Sequence, residues 1–119
     1  MTKEERNELM GIIRELSYEE REVTLASGRK SNFYFDGKQT TLHSKGGLLV
    51  GKAFWERVKE FEGPIDGVGG LTLGADPIAT ATSIAAALEG EDVHAFIIRK
   101  EPKGRGTGQW LEGRKKLHT

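Results

Sequence analysis

The sequence has no cysteine, only three prolines and no apolar run near the length that crosses a membrane. The absence of cysteine excludes a disulfide framework and a thiolate metal site, and it suits a reducing compartment. The acidic N-terminal residues do not resemble a signal peptide. We therefore expect a cytoplasmic protein with no membrane partner, and 119 residues fit a single domain over 1–119.

The net charge is zero, but the charges are unevenly distributed. From Arg99 onward there are seven Lys or Arg against two Glu, a local charge of +5 that leaves −5 on the preceding part. A neutral chain has no general attraction for polyanions, so we expect no nucleic-acid partner, and the asymmetry indicates a local anion site or a basic tail. The alternative, nucleic-acid binding by this basic segment with Trp110 as a stacking residue, predicts strong salt dependence.

The segment that most strongly indicates a ligand-binding site is 95–110, AFIIRKEPKGRGTGQW. Its first four residues form a β-branched apolar run that predicts a buried strand. Four closely spaced cations follow, separated by three glycines: Arg99, Lys100, Lys103 and Arg105. We predict a flexible loop over 100–110 that becomes ordered when a polyanion binds. A solvated hairpin tip with ordinary surface charge is the alternative.

The N-terminal third predicts one helix and a small β-layer. Thr2 and Glu5 have the spacing of a capping box. An apolar stripe at helical spacing follows, formed by Leu9, Ile12, Ile13 and Leu16. Two short strands are predicted at Val23–Leu25 and Phe33–Phe35, and Gln39–Leu42 would continue in extended form.

Aromatic and hydrogen-bonding side chains lie close together just after the second predicted strand. Tyr34 and Phe35 are followed by Asp36, Lys38 and Gln39. Flat aromatic faces beside polar groups suit a planar polar ring as ligand. The alternative is ordinary aromatic packing inside the β-layer.

The rest of the chain predicts a helix, then a strand–helix–strand unit. The elements, in order, are a helix from Ser44 to about Phe61, a strand at Ile65–Val68, a glycine-rich turn at Gly69–Gly74, a helix capped by Asp76 with Pro77 at its first position and ending near Leu88, and a strand at His94–Ile98. Strands joined in this way are parallel, so their C-terminal loops lie at one edge of the sheet. Because helix N-termini favour anions, we predict a phosphate site where the glycine-rich turn and the basic loop meet.

Standard nucleotide and metal motifs are absent from the sequence. It has no GxxxxGK[ST] pattern, and its glycine-rich basic loop follows a strand without opening a helix. The three histidines are far apart and have no metal-ligand spacing, so we predict no protein metal site.

Three blocks of the sequence together resemble one enzyme family, the orotate phosphoribosyltransferases. They are TLASGRKSNFYFDGKQTTL at Thr24–Leu42, VGGLTLGADPIA at Val68–Ala79 and RKEPKGRGTGQWLEG at Arg99–Gly113. The resemblance implies an α/β fold, a truncated type I phosphoribosyltransferase-like fold with a parallel sheet, flanking helices and a small N-terminal β hood. Helix and hood would occupy 1–42, and a partial core 43–119.

The resemblance also implies an activity, a cofactor and partners. The family transfers the ribosyl phosphate of 5-phosphoribosyl 1-diphosphate (PRPP) to orotate in pyrimidine biosynthesis, releasing orotidine 5′-phosphate and diphosphate. Mg²⁺ is carried by PRPP, and a homodimer or a completing chain is implied. By position, Tyr34 and Phe35 would bind orotate. The residues implied for PRPP and pyrophosphate are Thr72, Arg99, Lys100, Lys103 and Arg105, of which Lys103 and Arg105 would also be catalytic.

Two departures from the family pattern affect these expectations. The family usually has histidine where Arg105 stands, and arginine keeps its proton near neutral pH, so it supplies charge but no proton exchange. The family also continues after Leu111–Gly113 into an acidic strand end and a 5′-phosphate loop that the 119 residues lack. Three explanations stay open: a fragment of a full enzyme, a non-catalytic shortened paralogue that dimerises or binds a partner, or a sheet completed by a second polypeptide. In each case we expect the chain alone to be inactive.

Overall fold

The structure is a computed structural model that describes residues 1–101 and 110–114. The helices are α1 (Lys3–Ile12), α2 (Lys38–Thr41), α3 (Ser44–Val58) and α4 (Ala75–Leu88), with a π-helical segment at Ile13–Ser17. The strands are β1 (Tyr18–Glu19), β2 (Val23–Thr24), β3 (Lys30–Ser31), β4 (Tyr34–Phe35), β5 (Gly67–Leu71), β6 (His94–Ile98) and β7 (Leu111–Gly113). No helix in these ranges is long and apolar enough to span a membrane.

Helix α1 begins with the capping box that the sequence predicts. The Thr2 hydroxyl accepts from the Glu5 amide at 3.0 Å, and the Glu5 carboxylate accepts from the Thr2 amide at 2.9 Å. Leu9 is buried against Leu49 and Val50 of α3. Lys52 Nζ donates to Glu5 Oε2 at 2.5 Å in a part-buried hydrogen bond, which links the same two helices. The predicted apolar stripe is therefore a packing face at Leu9, Ile12 and Ile13, but not at Leu16, which is exposed and lies beyond the end of α1.

The β hood consists of two short antiparallel pairs. β1 pairs with β4, and β2 pairs with β3. The predicted strands Val23–Leu25 and Phe33–Phe35 are thus shorter than expected, and they do not pair with each other: β2 pairs with Lys30–Ser31, and β4 pairs with Tyr18–Glu19. The turn between β2 and β3 closes with Gly28 at φ +88°, a conformation that favours glycine.

The prediction that Gln39–Leu42 is extended is wrong, because Lys38–Thr41 is helix α2. The Asp36 carboxylate accepts from the Lys38 amide and from the Gln39 side-chain amide, both at 3.2 Å, which holds the first turn. The Gln39 hydrogen bond is the main reason why the pKa of Asp36 lies below its usual value. Thr40 is buried, and its hydroxyl shares a 2.6 Å hydrogen bond with that of Ser17. This buried polar pair stabilises the helical turn.

Helix α3 starts at Ser44 as predicted, but it ends at Val58 and not near Phe61. His43 is its N-cap, with Nδ1 accepting from the Gly46 amide at 3.1 Å. α3 packs closely on α4: a Cβ added at Gly51 would lie 2.4 Å from the Ala81 carbonyl oxygen. Glycine is therefore needed where the two helices cross.

The predicted strand–helix–strand unit is confirmed, with two corrections. β5 and β6 are parallel, and β6 has the predicted bounds. However, β5 is Gly67–Leu71 and not Ile65–Val68, so half of the predicted glycine-rich turn belongs to the sheet. β7, which the sequence did not predict, adds an antiparallel strand and gives the order β5-β6-β7.

The start of α4 also differs from the prediction. Gly74 is the N-cap and Ala75 the first helical residue, so Asp76 and Pro77 lie inside the first turn. Asp76 is therefore not the N-cap; its carboxylate instead accepts from the Thr72 hydroxyl, at 2.5 Å. The remaining turn between sheet and helix is only Thr72–Gly74, and the Thr72–Leu73 peptide bond is cis.

Within the ranges that the structure describes, two small apolar clusters form the core. One lies between α3, α4 and the sheet and contains Trp55, Ala85, Ala86 and Val93. The other lies between α1 and α3 around Leu49. Both clusters contact α3, so this helix joins the N-terminal part of the chain to the sheet.

We predict that Gly51→Ala lowers the free energy of unfolding by about 1–3 kcal/mol, because the added methyl group meets the α4 backbone. The matched control is Gly11→Ala in α1, where nothing lies within 4 Å of the added Cβ. That change is expected to stabilise by about 0.5–1 kcal/mol through helix propensity. Urea denaturation measures both, and a Gly51→Ala variant as stable as the parent would contradict the helix crossing.

We further predict an acid-sensitive attachment of α1. The hydrogen bond from Lys52, followed by that from the Thr2 amide, lowers the pKa of Glu5 from 4.5 to about 2. A carboxyl group whose pKa is lower in the folded than in the unfolded state stabilises the fold at any pH above its unfolded-state pKa. This stabilisation is lost as the pH falls through the folded-state pKa. The stability difference between the parent and Glu5→Gln should therefore be full above pH 4.5 and disappear towards pH 2.

Chemical denaturation across this pH range tests the attachment, with Glu4→Gln as control. Glu4 is in the same first turn, and the structure gives its side chain no hydrogen bond or ion pair within the described residues. A Glu5→Gln difference that stays constant down to pH 2 would contradict the role of the Glu5–Lys52 pair.

Candidate functional site

The C-terminal ends of β5 and β6 lie side by side. Leu71 is in register with Ile98, and the Thr72 amide donates to the Ile98 carbonyl oxygen at 2.9 Å. Thr72 and Arg99 are therefore the first residues to leave two adjacent strands at the same edge. The predicted meeting of the two loops is confirmed for the described residues.

An open cleft of ≈ 500 Å³ lies at this edge. It is lined by Thr72, Ile97, Arg99, Lys100, Glu101 and Glu112. Three of the predicted phosphate-binding residues thus share one cleft. Its described lining carries two cations and two carboxylates, so it is less positive than the sequence suggested.

Glu112 lies close to the guanidinium of Arg99. Because β7 pairs with β6, Glu112 stands beside Ile97, and its Oε1 is 3.5 Å from Arg99 Nη1. This ion pair lacks hydrogen-bond geometry, since Glu112 Oε1 has no hydrogen-bond partner among the described residues. Arg99 Nε donates to the Glu101 carbonyl oxygen at 3.1 Å. The guanidinium is therefore positioned over the cleft but only weakly neutralised.

The Thr72 hydroxyl is already engaged as a donor. It donates to Asp76 Oδ2, so within this geometry its oxygen can only accept a further hydrogen bond. A phosphate oxygen is also an acceptor. Thr72 would therefore have to bind such an anion through a rotated hydroxyl or through the backbone around it.

The hood presents four partly exposed aromatic side chains: Tyr18, Phe33, Tyr34 and Phe35. The rings of Tyr18 and Phe33 stack, with centroids 5.8 Å apart. Tyr34 and Phe35 are neighbours in β4, and successive side chains of a strand point to opposite faces. They therefore cannot both stack on the same side of one planar ligand.

Arg21 covers one face of Tyr34. Its Cζ is 4.7 Å from the ring centroid, and its Nε donates to Glu19 Oε2 at 2.6 Å. The sequence did not predict a role for Arg21, because the contact depends on the pairing of β1 with β4. Glu112 was missed for the same reason, since β7 was not predicted.

Two predicted site residues, Lys103 and Arg105, lie outside the described residues, as does most of the loop predicted over 100–110. Among the described residues no group of three or more His, Cys, Asp or Glu side chains could hold a metal ion. Near the cleft, Asp76 is bonded to Thr72, and Glu112 faces Arg99.

The arrangement is that of a known class of proteins. A parallel strand pair, a short turn feeding a helix, a basic residue pair at the next strand end and an N-terminal hood make up an α/β fold of the type I phosphoribosyltransferase kind. A crystal structure of the orotate phosphoribosyltransferase of Mycobacterium tuberculosis H37Rv in complex with Fe(III) dicitrate superposes with a TM-score of 0.77 and 39% identity, covering 93% of this chain and 61% of that one.

The complex of the same M. tuberculosis protein with PRPP gives a TM-score of 0.71 at 37% identity, covering 93% of this chain and 57% of that one. The orotate phosphoribosyltransferase of Nostoc sp. PCC 7120 is 43% identical over 108 residues, which is 91% of this chain and 51% of the relative. No protein-family model matches the chain. The chain spans about half the length of the curated relatives it matches. Over that half, it is homologous to the orotate phosphoribosyltransferases.

We predict that Glu112→Gln strengthens the binding of inorganic pyrophosphate to the cleft, whereas Arg99→Gln weakens it. Removing the carboxylate 3.5 Å from Arg99 Nη1 frees the guanidinium for an incoming anion. Because both side chains are partly exposed, we expect modest changes, about 3-fold tighter and about 5-fold weaker. Isothermal titration calorimetry at low salt measures both.

Glu91→Gln is the matched control, since Glu91 lines a different cavity with Trp55 and Asp92. Equal effects of Glu112→Gln and Glu91→Gln would show that only net charge matters and that the cleft is not the binding place.

Proposed function

We propose that this chain forms the orotate-facing and pyrophosphate-facing part of an orotate phosphoribosyltransferase. The reaction converts orotate and PRPP to orotidine 5′-phosphate and diphosphate. The observation that carries the proposal is the position of Thr72 and Arg99 at adjacent parallel strand ends, beside one cleft. The homology with proteins of that name, one of them solved with PRPP, supports it.

The proposed role of the cleft is to stabilise the departing diphosphate. As the bond from C1 of the ribose to the diphosphate breaks, negative charge accumulates on the leaving oxygen and positive charge on the ring. Fixed cations near the leaving group lower the free energy of that transition state. Arg99 and Lys100 would supply this charge from the strand end, with Lys103 and Arg105 adding to it. Arg105 would act as a charge and not as a proton donor.

The proposed role of the hood is to hold the orotate ring. Tyr34 would stack on the ring through the face that Arg21 leaves free, and Phe35, on the opposite side of β4, would shape the hood. Excluding water from the reacting carbon would favour transfer to orotate over hydrolysis of PRPP.

We propose that Mg²⁺ enters with the diphosphate group. No group of three or more His, Cys, Asp or Glu side chains among the described residues could hold a metal ion, and diphosphate oxygens are the hard ligands that Mg²⁺ prefers. Bound in this way, the ion would neutralise part of the diphosphate charge. Arg99 and Lys100 would then supply positive charge to the rest of the diphosphate.

A completing partner is part of the proposal. In the described part of the chain β5 pairs only with β6, so one edge of a parallel strand has no strand beside it. We propose that a completing chain supplies the ribose and 5′-phosphate contacts, and that a homodimer is the alternative assembly, in which a second copy would cover the open strand edge. We also propose the cytoplasm as the location, because a chain without cysteine suits a reducing compartment.

A second candidate function is a non-catalytic module that binds a partner protein. The observation in its favour is an apolar groove of ≈ 710 Å³ between α3 and α4. Leu48, Ile84 and Leu88 line it and are between 42% and 73% exposed. A stable oligomer that binds neither orotate nor pyrophosphate would favour this function.

Reconstitution tests the proposed reaction. We expect the chain alone to leave orotate unconsumed in the presence of PRPP and Mg²⁺. Mixing it with the part of the M. tuberculosis enzyme that it does not span should restore turnover, and Arg99→Gln should reduce that turnover at least about 10-fold. The positive control is the M. tuberculosis enzyme split at the same boundary. Turnover by that split pair, together with none by the mixture, would contradict the proposal.

The orotate site has its own test. Tyr34→Ala should weaken orotate binding by about 5- to 150-fold, in line with a stacking contribution of about 1–3 kcal/mol. Phe61→Ala is the matched control, because Phe61 is 67% exposed just beyond the end of α3. Nuclear magnetic resonance titration with orotate measures both variants. Equal orotate affinities of the Tyr34→Ala and Phe61→Ala variants would show that the hood does not take part in orotate binding.

A further inference from the structure

Asp76 and Thr72 form a hydrogen bond across the short turn between β5 and α4. The Thr72 hydroxyl donates to Asp76 Oδ2 at 2.5 Å, and the pair is partly buried. The other carboxylate oxygen, Oδ1, is buried and has no hydrogen-bond partner among the described residues. In the described part of the chain, this carboxylate therefore depends on the Thr72 hydroxyl as its donor.

Both ends of this hydrogen bond are fixed by the fold. The Thr72 amide donates to the Ile98 carbonyl oxygen at 2.9 Å, and Asp76 lies in the first turn of α4. A Cβ added at Gly70 would lie 2.8 Å from Ala75 Cβ, so β5 and the start of α4 are in close contact. Hydrogen bonds to charged acceptors are strong, and a buried carboxylate that loses its donor is costly. The proton of the Thr72 hydroxyl therefore stays directed at Asp76.

This orientation decides what Thr72 offers to a ligand in the cleft. Thr72 lines the cleft, whereas Asp76 does not. A hydroxyl has one proton and two acceptor lone pairs, and here the proton is used by Asp76. A phosphate oxygen that approaches Thr72 Oγ1 would meet a second acceptor and would gain no hydrogen bond from it.

We propose that Asp76 is a positioning residue that weakens the binding of free diphosphate by keeping the Thr72 hydroxyl proton away from the cleft. The inference rests on the proposed function, because it concerns the same diphosphate cleft. Diphosphate is a product of that reaction, so a lower affinity for it favours its release. Glu112, with Oε1 3.5 Å from Arg99 Nη1, restrains a second donor of the same cleft. Asp76 differs from Glu112 in acting through a neutral hydroxyl.

A double-mutant cycle on the full chain tests this role, with inorganic pyrophosphate as the probe and calorimetric titration at low salt. Thr72→Val removes the hydroxyl but keeps the shape of the side chain, and it should change the affinity less than about 2-fold, because the hydroxyl does not donate to the anion in the parent. Asp76→Ala frees the hydroxyl and should tighten binding about 5- to 10-fold, as expected for a hydrogen bond to a charged group in an open cleft. In the Thr72→Val background, Asp76→Ala should tighten binding by less than about 2-fold, the effect of one charge.

The outcomes separate the hydrogen bond from net charge and from folding. Asp92→Ala removes an equal charge from a different cavity and should leave the affinity within about 2-fold of the parent. Equal gains from Asp76→Ala in the two backgrounds, or no gain in either, would overturn the inference while leaving the proposed function in place.

The Thr72→Val variant gives a second test that needs no Asp76 variant to fold. A loss of pyrophosphate affinity above about 2-fold in Thr72→Val would show that the hydroxyl already donates to the anion, and it would overturn the inference. If the parent and all the variants leave pyrophosphate unbound, the proposed function fails and the inference fails with it.

Discussion

The parallel pairing of β5 with β6 is the constraint on which the rest of the structure depends. It requires glycine inside β5, since a Cβ at Gly69 would lie 2.4 Å from the Phe96 carbonyl oxygen and 2.5 Å from its ring. The pairing then continues by one hydrogen bond beyond the strands, from the Thr72 amide to Ile98. Thr72 of the turn and Arg99 of the basic pair are 27 positions apart in the sequence, and this pairing brings both to one cleft. The proposed stabilisation of the departing diphosphate depends on this position of the two residues.

The hood is attached to this sheet indirectly, through helices. The buried hydrogen bond between Ser17 and Thr40 joins the start of the hood to α2. A Cβ at Gly46 would lie 2.4 Å from the Thr40 carbonyl oxygen, so α2 and the start of α3 are in close contact. α3 in turn packs on α4 beside the sheet. Ring binding and diphosphate binding are therefore assigned to two regions that α3 connects.

Much of this arrangement could be predicted where local chemistry decides it. The capping box of α1 and the bounds of β6 follow from spacing and from β-branched composition. The end of β5 at Leu71 could not be predicted, because Gly69 and Gly70 are typical of a turn, although the close strand pairing here requires glycine at Gly69. α2 was missed because part of its stability comes from Thr40, a buried hydroxyl whose partner is 23 residues away. The Arg21–Tyr34 contact was unpredictable for the same reason, since it exists only through strand pairing.

The central claim is that ring and diphosphate bind at two different, identifiable places on this chain. The most direct measurement is a pair of ¹H–¹⁵N correlation titrations of the full chain, one with orotate and one with inorganic pyrophosphate. We predict that pyrophosphate shifts the amide signals around Thr72 and Arg99, and that orotate shifts those around Tyr34. Shifts at the α3–α4 groove instead, or no saturable shift with either ligand, would contradict the account.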